Sequence, residues 1–203
     1  MTQVPNKHSG NAAQFAAEED RSLLHERITT FRGFRTAAGL WELEAELIDK
    51  KATAWPSSEK GLLPAETPLH HMLIKLALDE SMSVVAAEVR MAATPYAECQ
   101  GAVPRLQCLI GARVASGWRK SVDAALGGTA GCTHLRELLV NMGTAAFQTV
   151  AGEQHRRAAD QASDLLSADS SKYPPQLDKC IAWDVDGAVV LRHYPQFYRK
   201  RPA

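Results

Sequence analysis

The chain has 203 residues, of which 45% are hydrophobic and 23% are charged, close to the average for globular proteins. This composition excludes a chain that is disordered throughout, a collagen-like repeat and a coiled-coil rod. Its 23 basic residues balance its 23 acidic residues, so we expect no broad cationic surface that binds nucleic acid or anionic lipid.

Apolar runs and cysteines indicate where the protein functions. No stretch approaches the roughly 18 consecutive apolar residues of a membrane helix, and the first residues lack the apolar segment of a secretory signal. The four cysteines are widely spaced, at Cys99, Cys108, Cys132 and Cys180. We therefore expect a cytoplasmic protein with reduced thiols, no disulfide framework and no membrane partner.

The pattern of apolar and polar residues in the first half of the chain predicts mainly strands. Residues 1–20 are polar and unpatterned, which predicts a disordered tail. A short strand is expected over residues 27–34. From Trp41, apolar and acidic residues alternate strictly as far as Leu47, which predicts a strand with one solvated face. Residues 56–68 contain three prolines and a glycine and are predicted to form a loop. Two apolar runs, 71–78 and 83–91, then predict a β-hairpin.

The second half of the chain reads mainly as helices. A long helix is expected from Pro95 to just before Gly127, with a kink or a late start at Pro104. A second helix is expected from Cys132 to about residue 162, and a hairpin turn at Asp186–Gly187. Strands followed by helices indicate an α+β fold, an antiparallel sheet with long helices packed on one face. We expect a single domain over residues 21–162 and a C-terminal extension over 163–203.

Potential metal ligands occur at three places where predicted elements begin or end. These are His70 and His71 before a strand, Cys99 after Tyr96 at the start of the first helix, and Cys132 with His134 at the start of the second. A cysteine at a helix N-terminus is favoured as the thiolate. One His with two Cys would form a three-ligand site with an open position, as in catalytic zinc sites.

The alternative is that these residues are simply packed, since cysteine often acts as a small buried hydrophobe. No zinc-binding motif with characteristic spacing is present. Cys99 and Cys108 should point to opposite sides of a helix, so Cys108 is expected in the core, and Cys180 is left out of the site.

The strand that begins at Trp41 offers candidate substrate-binding residues. Together with the preceding turn and the residues that follow, it presents Arg35, Trp41, Glu44 and Lys51. The simpler interpretation of Glu44 and Lys51 is a solvated strand face. Neither a nucleophile elbow nor a phosphate-binding glycine loop is present, which disfavours serine hydrolysis and nucleotide binding.

Four runs are distinctive: FRGFRTAAGLWELEAELIDKK, PLHHM, TPYAEC and GCTHLRELL. Together they resemble the bacterial DUF2889 family, and the resemblance covers about residues 25–150. The family pattern places Asp before Gly-Leu-Trp, where this chain has Ala38, so no role of that acid is expected here.

The order of elements is also similar to that of the NifU/IscU-type iron–sulfur scaffold proteins. This resemblance implies an IscU-like fold and a metal site formed by His70, Cys99 and Cys132. The scaffolds supply Cys and Asp in the first-ligand loop, where this chain has His70 and His71. Since cluster assembly relies on three thiolates, a different function is expected.

These observations favour a metal-dependent enzyme that binds zinc or iron through a His/Cys/Cys site. We expect His134, His71 and Tyr96 as catalytic residues, and a lyase or hydrolase reaction on a small catabolic substrate, aromatic compounds included. Carbon–carbon cleavage that releases a small aldehyde is one version, which rests on the family resemblance. The alternatives are a non-catalytic zinc or iron–sulfur scaffold or carrier, and a metal-free structural domain. A homodimer is left open.

Overall fold

A computed structural model describes residues 17–161, 173–174 and 176–202. The predicted tail over residues 1–20 lies almost entirely outside the described residues, apart from a 3₁₀ turn at Glu18–Asp20. Most of the polar stretch after residue 162 lies outside them as well. Within the described residues, no helix has the length and apolar character needed to cross a membrane.

The described residues divide into two compact units, the first ending at Val150 and the second beginning at Ala151. The first unit contains a four-stranded antiparallel sheet in the order β1-β2-β5-β6. The strands are β1 (His25–Arg35), β2 (Trp41–Lys51), β5 (Pro68–Leu78) and β6 (Val84–Ala93). The predicted α+β class is confirmed.

The alternation seen in the sequence places one face of the sheet in the core. In β2, buried residues alternate with partly exposed ones along the strand, and β5 shows the same pattern from Met72 onward. The buried side chains pack with apolar residues of the helices, which cover this face. They include Leu43, Ile74, Trp118, Leu135 and Met142.

The predicted loop over residues 56–68 is partly wrong, because a small two-stranded sheet forms there. Its strands are β3 (Trp55–Ser57) and β4 (Gly61–Leu63). Ser57 Oγ accepts hydrogen bonds from the backbone N–H groups of Glu59 and Lys60, and Gly61 adopts φ 68°. These two features close a tight turn between strands too short to give a periodic signal.

The predicted single long helix after Pro95 is also wrong. A 3₁₀ helix spans Ala97–Leu109, and α1 (Trp118–Leu126) follows after a break. Pro104 lies within the 3₁₀ segment, where its missing N–H interrupts regular α-helical hydrogen bonding. Gly111 and Gly117 adopt φ 83° and 92° in the break, a conformation that ends helices. Cys108, expected in the core, is exposed on the 3₁₀ segment.

The helix expected from Cys132 is present as α2 (Thr133–Gln161). The predicted hairpin at Asp186–Gly187, in the second unit, is wrong. The backbone N–H of Asp186 donates a hydrogen bond to the Asp184 carboxylate, and that of Gly187 donates to the Asp184 carbonyl. These bonds form a turn that leads directly to the short helix α3 (Ala188–His193). The second unit has its own small core around Leu177, Val185 and Val190.

Close packing between β1 and α2 depends on Gly33. A Cβ atom at this position would lie 1.9 Å from Thr149 Oγ1, and the Thr149 hydroxyl is held by a hydrogen bond to the Ala145 carbonyl. We predict that Gly33→Ala lowers the free energy of unfolding by about 1–3 kcal/mol through overpacking, measured by urea denaturation. Gly101→Ala is the matched control, since no atom of the described residues beyond its chain neighbours and the backbone of its own helix lies within 4 Å of its Cβ position. Equal effects of the two substitutions would contradict this packing.

Candidate metal centre

The site is built around Asp49, which continues the buried stripe of β2 in place of another apolar residue. Its exposed fraction is 2%. Strand pairing sets Asp49 directly opposite Arg27 of β1 and opposite His70 of β5. Since directly opposed residues of antiparallel strands lie on the same face, three strands present a guanidinium, a carboxylate and an imidazole side by side.

Arg27 holds the Asp49 carboxylate with both ends of its guanidinium. Arg27 Nε donates to Asp49 Oδ1 at 2.7 Å and Nη2 donates to Oδ2 at 2.8 Å. His25 Nε2 lies 3.2 Å from Oδ1. Burial alone would raise the pKa of the Asp49 carboxyl, but the hydrogen bonds and charge of Arg27 outweigh it and lower the pKa below its ordinary value. The carboxylate is therefore ionised at neutral pH.

Two histidines converge on the second oxygen of this carboxylate. His70 Nδ1 lies 3.1 Å and His134 Nε2 lies 3.7 Å from Asp49 Oδ2, and the two imidazole rings are 3.9 Å apart between centroids. Burial lowers the pKa of both imidazoles; the nearby His134 lowers that of His70 further, and Arg27 lowers that of His134. Both rings are therefore neutral at pH 7 and carry a lone pair.

The N-terminal turn of α2 supplies the remaining side chains. His134 and Glu137 are three residues apart and so share one face of the helix. Glu137 Oε2 accepts a hydrogen bond from Arg27 Nη1 at 3.1 Å, which connects α2 to β1. Cys132, immediately before the helix, places its Sγ 3.8 Å from His134 Nδ1.

The cluster Asp49–His70–His134 fits a divalent cation. Its three ligand atoms all lie within 4.8 Å of one another. Two ligands of a tetrahedral zinc ion, each about 2.1 Å from the metal, are about 3.4 Å apart; the two nitrogen distances to Asp49 Oδ2 bracket this value. His70 Nδ1 is buried and has no aligned hydrogen-bond partner among the described residues, so a bound ion would satisfy it.

The electrostatic balance also favours a cation. With His70 and His134 neutral, the site has two carboxyl groups, on Asp49 and Glu137, against the single guanidinium of Arg27. Two imidazoles and one carboxylate on one side of a metal leave further coordination positions open, as in non-haem iron oxygenases and hydrolytic zinc enzymes. Arg27 and His25 occupy the role of hydrogen-bonding groups that orient the carboxylate ligand.

Two cavities meet at His70. The first has a volume of about 560 Å³ and is lined by His70, Cys99, Cys132 and His134, together with Glu98 and Arg105. The second, of about 610 Å³, is lined by His70, His71, Tyr96 and the β3–β4 hairpin. Both volumes lie in the range of small-molecule sites.

The structure brings the ligand set predicted from sequence to one cavity, since His70, Cys99 and Cys132 all line its wall. The closest cluster has a different composition, however. Within the part of the chain that the structure describes, the group of three metal-ligand side chains within 4.8 Å is Asp49, His70 and His134. Cys99 and Cys132 line the same cavity as His70 and His134, and neither forms a disulfide among the described residues.

The predicted catalytic residues are divided between the two cavities. His134 belongs to the cluster itself. His71 lies on the opposite face of β5, where its Nε2 is 2.9 Å from Glu46 Oε1, although it also lines the larger cavity with Tyr96. Tyr96 is half exposed.

Of the predicted substrate residues, Lys51 lies nearest the cavities, with its Nζ 4.8 Å from the ring centroid of Trp55. Arg35 stacks on Trp41, 4.2 Å from the ring centroid, at the other end of β2 from Asp49. Eight residues of strand separate Trp41 from Asp49, about 26 Å at roughly 3.3 Å per residue. Glu44 lies on the outer face of the sheet, paired with Lys75. Arg35, Trp41 and Glu44 line neither cavity.

Sequence reasoning missed Asp49, Arg27, His25 and Glu137. A signal for Asp49 existed, because it falls in register with Trp41, Leu43, Ala45 and Leu47 on the apolar face of β2. An acid in that register predicts a buried, partnered charge. His70, which was predicted as a ligand, likewise falls in register with the buried residues Met72 and Ile74 on the inner face of β5. The partners of Asp49 come from other elements and depend on strand register.

Comparison with known families identifies the class of protein. The profile of "Protein of unknown function (DUF2889)" matches residues 25–148, which covers the sheet, the 3₁₀ segment, α1 and all of the cluster residues. The chain belongs to the DUF2889 family. No curated protein and no solved structure gives a significant match.

The buried histidines make the stability of the metal-free protein depend on pH. Burial lowers the pKa of His70 and His134 below the ordinary 6.5, so the unfolded chain binds more protons than the folded chain just below that pH. We predict that the contribution of these two histidines to the free energy of unfolding is fully present above pH 6.5. It decreases as the pH falls through their folded-state pKa values. Urea denaturation between pH 7.5 and 5 measures this decrease.

The double substitution His70→Gln/His134→Gln should flatten this pH dependence. A chelator is present throughout, so that bound metal does not contribute. If the slope in the double variant equals that of the wild type, the buried imidazoles are not its source.

Proposed function

We propose that this protein is a metal-dependent enzyme whose zinc or ferrous ion is held by Asp49, His70 and His134. The observation that carries the proposal is the convergence of three ligand atoms within 4.8 Å of one another beside a cavity of about 560 Å³. Its ligand set replaces the two cysteines expected from sequence by a carboxylate and a second imidazole.

The protein side chains prepare the site for such an ion. Arg27 and His25 fix the Asp49 carboxylate through Oδ1 and Oδ2, and burial keeps both imidazoles neutral. When bound, zinc or ferrous iron acts as a Lewis acid that polarises a substrate oxygen. Cys132 lies beside His134 Nδ1 and lines the cavity, where it can contact a bound substrate.

We extend the proposal to a lyase or hydrolase reaction on a small catabolic substrate, aromatic compounds included. Carbon–carbon cleavage with release of a small aldehyde is one version. In it, a base would remove the proton of a hydroxyl group, the carbinol carbon would become the aldehyde carbonyl as its C–C bond breaks, and the departing carbon would keep the electron pair and take up a proton. Tyr96 and His71, which line the larger cavity beside His70, are the candidate proton donor and acceptor. Cavities of several hundred cubic ångströms are compatible with substrates of this size. Four free thiols support a cytoplasmic location.

A second candidate function is a zinc or iron–sulfur carrier with an IscU-like fold. The specific observation in its favour is that Cys99 and Cys132 line the same cavity as His70. This function predicts that reconstitution with iron and sulfide gives a coloured cluster, which Cys99→Ser and Cys132→Ser each abolish. If the cavity instead binds a single catalytic ion and no cluster, the reconstituted protein should be colourless.

The metal content of the tag-free protein tests the proposed ligand set. We predict about one equivalent of zinc or iron per chain by elemental analysis. His70→Ala and His134→Ala should each lose most of it, because removal of one of three ligands leaves too few protein donors. His71→Ala is the matched control, one residue from His70 but on the other face of β5, and should retain the metal.

The cysteine variants decide between the two ligand sets. Cys99→Ser and Cys132→Ser should keep the metal if Asp49, His70 and His134 hold it. Metal loss in both variants, with His134→Ala still loaded, would instead establish the His/Cys/Cys set. A wild-type protein without metal, whose variants all fold normally, would overturn the metal-dependent function.

A further inference from the structure

The larger of the two cavities has features of a ligand site in its own right. It lies between the β3–β4 hairpin and the adjoining ends of β5 and β6, with a volume of about 610 Å³. His70 and Pro95 line this cavity and the smaller one. A molecule bound in the larger cavity therefore has one end at His70, a member of the proposed metal centre.

Lys60 places a positive charge in this cavity. Its Nζ donates a hydrogen bond to the Thr94 carbonyl at 2.6 Å, which connects the β3–β4 hairpin to the end of β6. An ammonium group has three N–H donors, so two remain for other acceptors. Among the described residues, none of the ion pairs involves Lys60, and no acidic side chain lines the cavity.

A second cation near the cavity, Lys51, adds to this bias. Lys51 Nζ lies 4.8 Å from the ring centroid of Trp55, one of the lining residues. The Glu46 carboxylate, close to the lining residue His71, is bonded to the His71 ring and lies on the outer face of the sheet. Ser57, Ser58 and Thr67 add hydroxyl groups to the wall. Within the described part of the chain, an anionic group in this cavity would meet an ammonium and hydroxyl donors and no carboxylate on the wall.

Two aromatic side chains line the same cavity while remaining substantially exposed. The exposed fraction is 44% for Trp55 and 50% for Tyr96. Large aromatic side chains left uncovered beside a cavity are typical of ligand sites. With Pro56, Pro68 and Leu63, they offer apolar contact area for a flat molecule.

We infer that this cavity binds a small organic carboxylate with a flat apolar body. The Lys60 ammonium pairs with the carboxylate, Trp55 and Tyr96 pack against the body, and the opposite end of the molecule reaches His70. This inference rests on the proposed function only in assigning the ligand as substrate. The binding itself depends on residues outside the metal centre.

Binding of benzoate to the metal-free protein tests the inference, with benzamide as the uncharged probe of the same shape. Titrations followed by NMR at constant ionic strength give both dissociation constants. We expect benzoate to bind at least tenfold more tightly than benzamide, because only benzoate can form a charge-assisted hydrogen bond with the Lys60 ammonium. Equal affinities would overturn the carboxylate assignment.

Substitutions locate the bound probe. Lys60→Met should weaken benzoate binding about tenfold and leave benzamide unchanged, whereas Lys60→Arg should keep most of the affinity. Lys75→Met, on the outer face of the sheet, is the matched control and should bind benzoate as the wild type does. Trp55→Ala should lower the affinity for both benzoate and benzamide. This variant tests binding in the cavity even if substitution of Lys60 loosens the hairpin. Equal losses in Lys75→Met and Lys60→Met would place the probe elsewhere and overturn the inference.

The two proposals fail separately. If the protein binds no metal but binds benzoate through Lys60, the metal centre is wrong and this site stands. If metal binds through His70 and His134 but benzoate does not bind, the carboxylate site is wrong and the metal centre stands.

Discussion

The carboxylate of Asp49 is buried under the helices, where an unpaired charge would be strongly unfavourable. Arg27 compensates this cost with two hydrogen bonds, and its third contact, with Glu137, fixes the first turn of α2 against β1. The arrangement of the first unit around the site follows from this pair. Strand register sets Arg27 and His70 beside Asp49, and the position of α2 brings His134 to the same carboxylate oxygen. The proposed metal centre is thus an extension of the ion pair that makes a buried acid tolerable.

The two-residue period of the sheet separates chemistry that the sequence places together. His70 and His71 are adjacent, but His70 faces the buried cluster while His71 pairs with Glu46 on the outer face. The inner face ends at a cavity that is lined by Cys99, Cys132, His70 and His134. At the strand ends, a second cavity combines Lys60 with two exposed aromatic side chains. His70 lines both cavities and belongs to the proposed metal centre, so it connects that centre with the surface proposed to bind substrate.

Local patterns predicted the sheet well, because burial of one face imposes alternation directly on the sequence. The strands beginning near residues 27, 41, 71 and 83 and the helix after Cys132 are all present. Prediction failed where single residues decide the backbone path. Pro104, Gly111 and Gly117 divide the expected long helix into a 3₁₀ segment and α1. Hydrogen bonds to Ser57 stabilise the β3–β4 hairpin where a loop was expected. A hydrogen bond to Asp184 stabilises the turn before α3 where a hairpin was expected.

The sequence by itself determined the α+β class, the membership in the family and the involvement of His70, Cys99, Cys132 and His134 in one region of the protein. These follow from short-range periodicity and from motifs that can be read along the chain. The tertiary structure alone decided which of these side chains come within ligand distance of one another, and it added Asp49, Arg27 and Glu137. Contacts among β1, β2, β5 and α2 join residues up to 110 positions apart. They depend on strand register and helix packing, and a shift of one residue in register would turn Asp49 away from His70.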